Sequence, residues 1–463
     1  MGSDRQAVDT YRLIVTRRNG SEILLFPAGR AWALPRVEIE RHQRVAEQLN
    51  SEVARAWGME TCCLFVPLPA GSGRTEEPSC AVLEPVGQNS APPRGGRWVP
   101  SVAAAHYCDL ADAETVRNAL EETRAYVTGK KAGPFARPGW LRELFLWANE
   151  QIAPIGLRLT GHFEQLNASP TFALVRMQTE EGAVWFKATG KPNAHELPVT
   201  VKLAQLFPRY LLPIFGIHRE WNGWLSPEAA GVSLDETREF RAWERVAADI
   251  AELQIESIER TEELLRSQLN DLRPAVLTER VAPFFARMSE FMAAQEKADP
   301  EPLAVSELAA LSQTLKESCA LLESIGLPNT VGHTDFNPGN IVVSKDRCTF
   351  LDWAEGCIAN PLLTFEYLRV HMARCEIDQP APAELLASAY LRPWAAFYAP
   401  EKLREALDLA PLLAIFAFAV SNDSWRTLDP VSDPKLAGYF RSLTRRMHRE
   451  AVRLAERSGS CLS

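Results

Sequence analysis

The pattern of apolar and polar positions divides the chain into a β-rich start, a second β-rich stretch and a long helical remainder. Residues 11–16 and 23–26 are short β-favouring runs on either side of Arg17-Arg18-Asn19-Gly20. Asn-Gly between two such runs signals a hairpin, because both residues accept positive φ. Over 44–57 the period changes, and Val45, Leu49, Val53 and Ala56 fall on one helical stripe. Residues 67–97 are rich in Pro, Gly and Ser and lack a period, which predicts a long loop. A helix over 112–126 then meets Thr128-Gly129-Lys130-Lys131-Ala132-Gly133-Pro134, a helix stop and a candidate linker between domains.

Beyond that seam the spacing predicts a helix over 138–151 with Pro near its start. Strands are expected over 157–166, 171–178 and 183–188, and a helix over 197–207. Residues 213–218 and 223–226 read as extended. From about Leu234 onward the pattern is helical, with one β interruption at 340–352. A small β-rich lobe therefore precedes a larger helical one.

The chain has 463 residues, 46% of them hydrophobic and 24% charged, enough for two to four folding units. A formal charge of −9 argues against a nucleic-acid binder, which needs a basic face. The longest apolar run, 411–420, is far shorter than the roughly 20 residues that cross a bilayer, so no membrane partner is expected. The first residues carry no apolar signal region, and the nine cysteines are scattered without a C-x-x-C pair. A cytoplasmic protein with reduced thiols is the expectation.

The chemistry concentrates in Val331-Gly332-His333-Thr334-Asp335-Phe336-Asn337-Pro338-Gly339-Asn340-Ile341-Val342-Val343, followed by Thr349-Phe350-Leu351-Asp352-Trp353. His-x-Asp with an Asn five residues after the Asp puts a carboxylate and an amide on one tight loop. The runs 341–343 and 349–351 would pair as a hairpin closed at Lys345-Asp346, returning Asp352 beside Asn340 as a two-ligand metal site. Phosphoryl transfer needs this set: a carboxylate at the acceptor hydroxyl and oxygen ligands for magnesium. Upstream, Lys187 ends the apolar run Val184-Trp185-Phe186, and Glu196 opens the next helix nine residues on. A lysine at a strand end is ordinarily a surface residue; placed before the 333–352 string, it suits the nucleotide phosphates, with a glutamate to orient it.

The string His333-Thr334-Asp335-Phe336-Asn337-Pro338-Gly339-Asn340, then Leu351-Asp352-Trp353, resembles the aminoglycoside phosphotransferase and choline kinase-like family over about residues 137–463. Its usual form is H-G-D-x-H-P-G-N followed by a strand ending in D-W. The resemblance implies ATP and Mg2+ as cofactors, Asp335 as catalytic base with His333 buttressing its loop, and Asn340 and Asp352 as metal ligands. It further implies that Lys187 holds the α- and β-phosphates and pairs with Glu196. The family's nucleotide lies between two lobes, with adenine at a hinge that here falls over 224–229, around Leu225. The phosphate-covering turn would be Gln165-Leu166-Asn167-Ala168-Ser169-Pro170, which has no glycine; its backbone N–H groups and the Ser169 hydroxyl are candidate phosphate contacts, and a plain hairpin turn is the other reading.

Four positions depart from the family string. Thr334 replaces Gly, Asn337 replaces His, Asn360 stands where relatives have Asp, and Thr364 replaces an Asp that braces the catalytic loop. The first two leave the metal ligands intact; the last two favour a rival reading, a nucleotide-binding regulatory module without turnover.

Trp32-Ala33-Leu34-Pro35 ahead of the 44–57 helix, which ends at Gly58-Met59, resembles a Nudix domain. In that family W-x-L-P-G-G leads to a helix bearing R-E-x-x-E-E-x-G, whose glutamates bind magnesium. Aligned on Gly58, Arg55 and Ala56 occupy the metal-binding glutamate positions, and Arg36-Val37 replaces Gly-Gly. The implication is a hydrolase relic; an unrelated α/β cap is the other reading.

Weaker candidates complete the survey. Asp423 and Trp425 follow the apolar 411–420 run, where relatives place acidic and aromatic groups for a cationic acceptor, although an N-cap and a buried Trp serve equally. Glu355, Glu366, Cys348 and Cys357 lie near Asp352, and 441–457 reads as a charged surface helix. The expected whole is α+β: a Nudix-like domain over 1–130, a kinase-like N-lobe over 137–232 and a helical C-lobe over 233–463. Its expected function is phosphorylation of a hydroxyl on a small-molecule acceptor.

Overall fold

The structure, a computed structural model, describes residues 8–41, 44–67, 79–87 and 91–460. The chain divides into two compact units, the first comprising Met1–Leu197 and Pro213–Glu228 and the second Pro198–Leu212 and Ala229–Ser463.

The first unit contains two sheets. In the first sheet are β1 (Val8–Arg17), β2 (Glu22–Ala28), β3 (Ala31–Ala33), β4 (Arg36–Glu40), β5 (Thr61–Phe65), β6 (Ser79–Pro85) and β7 (Arg97–Pro100), in order β3-β2-β1-β6-β5, with β4 paired to β1 and β7 to β2. The expected hairpin forms: Thr16 pairs with Ile23 and Arg17 with Glu22, while Arg18, Asn19 and Gly20 take φ of 51°, 56° and 86°. Strand β1 is apolar on both faces, as a central strand must be. Leu13 and Val15 pack with Leu49 and Val53 of α1 (Val45–Trp57), whereas Ile14 points to the opposite core. Gly58 ends α1 at φ 62°, the left-handed cap that favours glycine.

The loop expected over 67–97 holds strand β6, paired in parallel with β1. Cys80–Leu83 is too short a run beside so many Pro and Gly to register as a strand; its partner β1, far away in sequence, makes it one. Residues 68–78 and 88–90 of that span lie outside the described residues.

Helices α2 (Leu110–Val127) and α3 (Trp140–Ile152) lead to the second sheet. It has order β11-β12-β10-β9-β8, from β8 (Leu159–Gln165), β9 (Ala173–Thr179), β10 (Gly182–Ala188), β11 (Gly216–His218) and β12 (Gly223–Pro227). The segments expected as separate domains, 1–130 and 137–232, largely fall in this one unit and share a core. Ile14, Leu25 and Leu64 of the first sheet belong to the same apolar cluster as Trp140, Val175, Phe186 and Leu225.

Helix α4 (Glu196–Leu206) carries the chain into the second unit. That unit holds α5 (Phe240–Ser257), α6 (Thr261–Leu265), α7 (Pro274–Ala293), α8 (Val305–Ile325), α9 (Pro361–Met372), α10 (Pro382–Trp394), α11 (Pro400–Val420), α12 (Ser424–Thr427) and α13 (Pro434–Ser460). More β structure interrupts it than the single expected hairpin. Strands β13 (Val232–Ser233), β16 (Ile341–Val343) and β17 (Cys348–Phe350) form one sheet, and β14 (Asn270–Leu272), β15 (Thr330–His333) and β18 (Gly356–Ala359) form another. These strands have two to four residues, too few for a periodic signal. The apolar 411–420 run is the inner half of α11, with Leu412, Leu413, Phe416 and Ala417 buried. Among the described residues no helix is long and apolar enough to cross a membrane.

Candidate active site

Strand β15 delivers His333 and Asp335 to the loop before the β16–β17 hairpin. The hairpin pairs Ile341 with Phe350 and Val343 with Cys348, and the Leu351 N–H donates to the Asn340 carbonyl at 2.8 Å. Asn340 and Asp352 thus meet at the open end of the hairpin, as its length required. Asp352 sits at φ 61°, a left-handed conformation uncommon outside glycine, and non-glycine residues held there cluster at functional sites.

His333 ties the loop together. It is 1% exposed; its Nδ1 accepts the Asp335 N–H at 3.1 Å, and its Nε2 lies 2.6 Å from the Asp352 carbonyl. Since Nδ1 accepts, the proton sits on Nε2, and a neutral ring satisfies both neighbours. One side chain thereby ties the backbone of Asp335 to that of Asp352.

The departures from the family string find physical roles here. The buried Thr364 hydroxyl accepts the His333 N–H at 2.9 Å, so it braces the loop from α9. Asn360 caps α9, accepting the Leu362 N–H at 3.1 Å. Asn337 accepts the Gly339 N–H at 3.1 Å and closes the turn carrying Asn340. Thr334 is buried, its N–H bonded to the Glu355 carbonyl at 3.0 Å.

In the first unit, Lys187 of β10 and Glu196 of α4 form an ion pair at 2.5 Å, with side-chain exposures of 14% and 1%. The Lys187 ammonium also stands 5.8 Å from the centre of the Trp224 ring. Leu225 is fully buried in the unit's core and its carbonyl accepts the Phe215 N–H at 2.7 Å. Ser169 lies in the turn between β8 and β9, where its hydroxyl accepts the Thr171 N–H at 3.4 Å.

An amide and one carboxylate fit Mg2+, which keeps several waters and is usually completed by substrate phosphates. Among the described residues no three His, Cys, Asp or Glu gather within reach of one metal ion.

Residues 224–406 match the model of the phosphotransferase enzyme family (APH). The matched span contains Asp335, Asn340 and Asp352 and begins after Lys187 and Glu196. No curated protein matches the chain. Among solved structures, ethanolamine kinase from Plasmodium vivax is 14% identical, with 62% of this chain and 83% of that one covered and a TM-score of 0.44. The macrolide 2'-phosphotransferase of Brachybacterium faecium is 16% identical, with 61% and 95% covered and a TM-score of 0.40. A choline/ethanolamine kinase family protein from Mesorhizobium loti is 15% identical, with 67% and 94% covered and a TM-score of 0.42.

Three titratable side chains that sequence reading did not single out feel the Asp335 charge. Burial raises Tyr367 well above its ordinary value, and the Asp335 charge adds to this while Arg446 opposes it. Tyr439 is raised by burial, with the same two charges acting on it. His371 is lowered, chiefly by burial and then by Arg374, with Asp335 opposing. Tyr367 and His371 are one turn apart on α9, and Phe418 of α11 lies 6.4 Å from both Tyr367 and Tyr439, ring to ring. The α9 spacing was visible, but only packing shows that α13 faces it.

The weaker candidates resolve differently. Trp425 is a core residue at 1% exposure, and Asp423 is a surface residue paired with Arg426 at 2.8 Å. Glu366 is buried against Arg369 at 2.7 Å, and Glu355 ends a short 3-10 turn. Cys348 and Cys357 are buried thiols pushed up by desolvation, Cys357 to about 12.

Proposed function

We propose that this protein transfers a phosphoryl group from ATP to a hydroxyl of a small molecule, with Mg2+ as cofactor and Asp335 as base. The observation that carries the reading is the His333 assembly, which holds Asp335 and Asp352 through one buried ring. Asp335 would orient the acceptor hydroxyl and accept its proton as the new O–P bond forms. Asn340 and Asp352 would hold Mg2+, which when bound neutralises charge on the phosphates. Lys187, paired with Glu196, is the first unit's candidate for a nucleotide phosphate. The rival reading, a regulatory module without turnover, rests on Thr364 and Asn360; the brace and the cap those residues supply favour the phosphotransferase reading.

The test is Asp335→Asn. Turnover, followed as slow ATP hydrolysis and across a panel of amino-alcohols, sugars and aminoglycosides, should be nearly abolished. The rise in melting temperature produced by ATP with magnesium should persist. Equal, acceptor-independent turnover in wild type and variant, with ATP bound by both, would return the regulatory reading.

A further inference from the structure

The turn joining β8 to β9, residues 166–172, stands at the Lys187 end of the second sheet: Lys187 pairs with Leu174 and Ala188 with Ala173. Under the proposed function it faces the nucleotide phosphates. Such a turn closes over phosphate by its own glycine-based mobility in protein kinases; this one has no glycine and contains Pro170.

It is instead gripped by the N-terminal region at three places. Just before the turn, Gln165 is 3% exposed, and its amide pairs with the Cys63 peptide in both directions: Oε1 accepts the Cys63 N–H at 2.8 Å and Nε2 donates to the Cys63 carbonyl at 2.7 Å. Asn50 of α1 donates to the same Oε1 at 3.0 Å and itself accepts from Thr61 at 3.0 Å. Cys63 lies on β5, the edge of the first sheet, so the Gln165 amide acts as a one-residue strand added to that edge. In the middle of the turn, Ala168 packs on the apolar cluster beneath α1. At its far side the Pro170 carbonyl accepts the Phe135 N–H at 3.2 Å, and Gly133 leaves no room for a side chain, because a Cβ there would stand 2.7 Å from Pro170 and 2.8 Å from Tyr126. Inside the turn, Asn167 accepts the Leu174 N–H at 2.8 Å.

We propose that the N-terminal region, residues 8–136, is a buttress for the nucleotide site, and that Gln165 is the positioning residue through which it sets the 166–172 turn. The inference rests on the phosphotransferase reading. A turn ordered beforehand does not lose its freedom when phosphate binds, so the ordering cost leaves the binding equilibrium.

The experiment compares Gln165→Leu with Glu84→Ala in the full chain. Glu84 accepts the Gly139 N–H at 2.6 Å, a half-buried tie of the first sheet away from the turn. Both variants should melt at lower temperature than wild type. Only Gln165→Leu should raise the KM for ATP, by about tenfold, with kcat and the acceptor KM within about twofold of wild type. Gln165→Glu, which keeps the acceptor oxygen and loses the donor, should fall between. An unchanged KM for ATP in Gln165→Leu, or an equal rise in Glu84→Ala, overturns the inference and leaves the phosphotransferase reading standing. Wild type that shows no response to ATP overturns both. Hydrogen exchange on wild type supplies a measurement free of folding defects: the Leu166 and Leu174 amides should be protected without nucleotide, and protection that appears only with ATP overturns the buttress.

Discussion

The dependence of the 333–340 loop on a single buried hydrogen bond from α9 can be measured at the Thr364 hydroxyl. Thr364→Val keeps the shape and removes the acceptor, leaving the His333 N–H facing a methyl group at a site 1% exposed. A buried donor left without a partner costs about 1–3 kcal/mol. Water does not easily repair the loss, since a Cβ on Gly332 would already stand 2.6 Å from the Thr364 hydroxyl. The same backbone segment carries Asp335, and displacement of a catalytic group by about 1 Å lowers turnover by up to about 100-fold. Thr364→Ser keeps the hydroxyl and loses a methyl worth about 0.8 kcal/mol. The assay is paired: denaturant unfolding for stability, and ATP turnover at saturating nucleotide. Thr364→Val should lose about 1–3 kcal/mol and about 10- to 100-fold in kcat, with ATP affinity retained, and Thr364→Ser should keep nearly all its activity. Wild-type turnover in Thr364→Val, or a greater kcat loss in Thr364→Ser, would refute the brace.

Three further outcomes are expected. Lys187→Met takes the ammonium from the buried Glu196 carboxylate and should cost up to about 3–5 kcal/mol in stability; adding Glu196→Gln should restore much of the stability but not the ATP-induced shift in melting temperature, and recovery of both would remove Lys187 from the nucleotide site. His371 is held below its ordinary value of 6.5, so the unfolded chain binds the proton more readily and stability falls as pH drops through 6.5; His371→Gln should flatten the stability profile below that pH, and an unchanged slope in denaturant titrations would contradict the burial argument. Arg55, which the Nudix resemblance sets at a metal-ligand position, pairs with Glu52, its Nε 3.2 Å from the carboxylate; the Asp335→Asn chain should hydrolyse no nucleoside diphosphate derivative, and magnesium-dependent release of a nucleoside monophosphate would overturn that expectation.

Features set by neighbouring residues were legible in the sequence. The Asn19-Gly20 turn, the α1 stripe with its Gly58 cap, and the loop–hairpin order from His333 to Asp352 all follow from φ preferences and period over spans shorter than a strand pair or a helix. The lysine on β10 and the glutamate opening α4 were readable for the same reason, and the structure joins them at 2.5 Å. Tertiary structure decided what distant segments do to one another. Strand β6 exists because β1 pairs with it, and β14, β15 and β18 are too short to declare themselves without one another. Thr364 read as a lost brace until α9 was placed against β15, and Gln165 as an ordinary strand end until β5 lay beside it. Trp425 could not be sorted by residue type, since an aromatic on a helix is core or site according to what packs over it, and it proved core. The reason is physical: backbone preference and side-chain period act over a few residues, whereas partners for buried polar groups come from any part of the chain that the fold brings within about 3 Å.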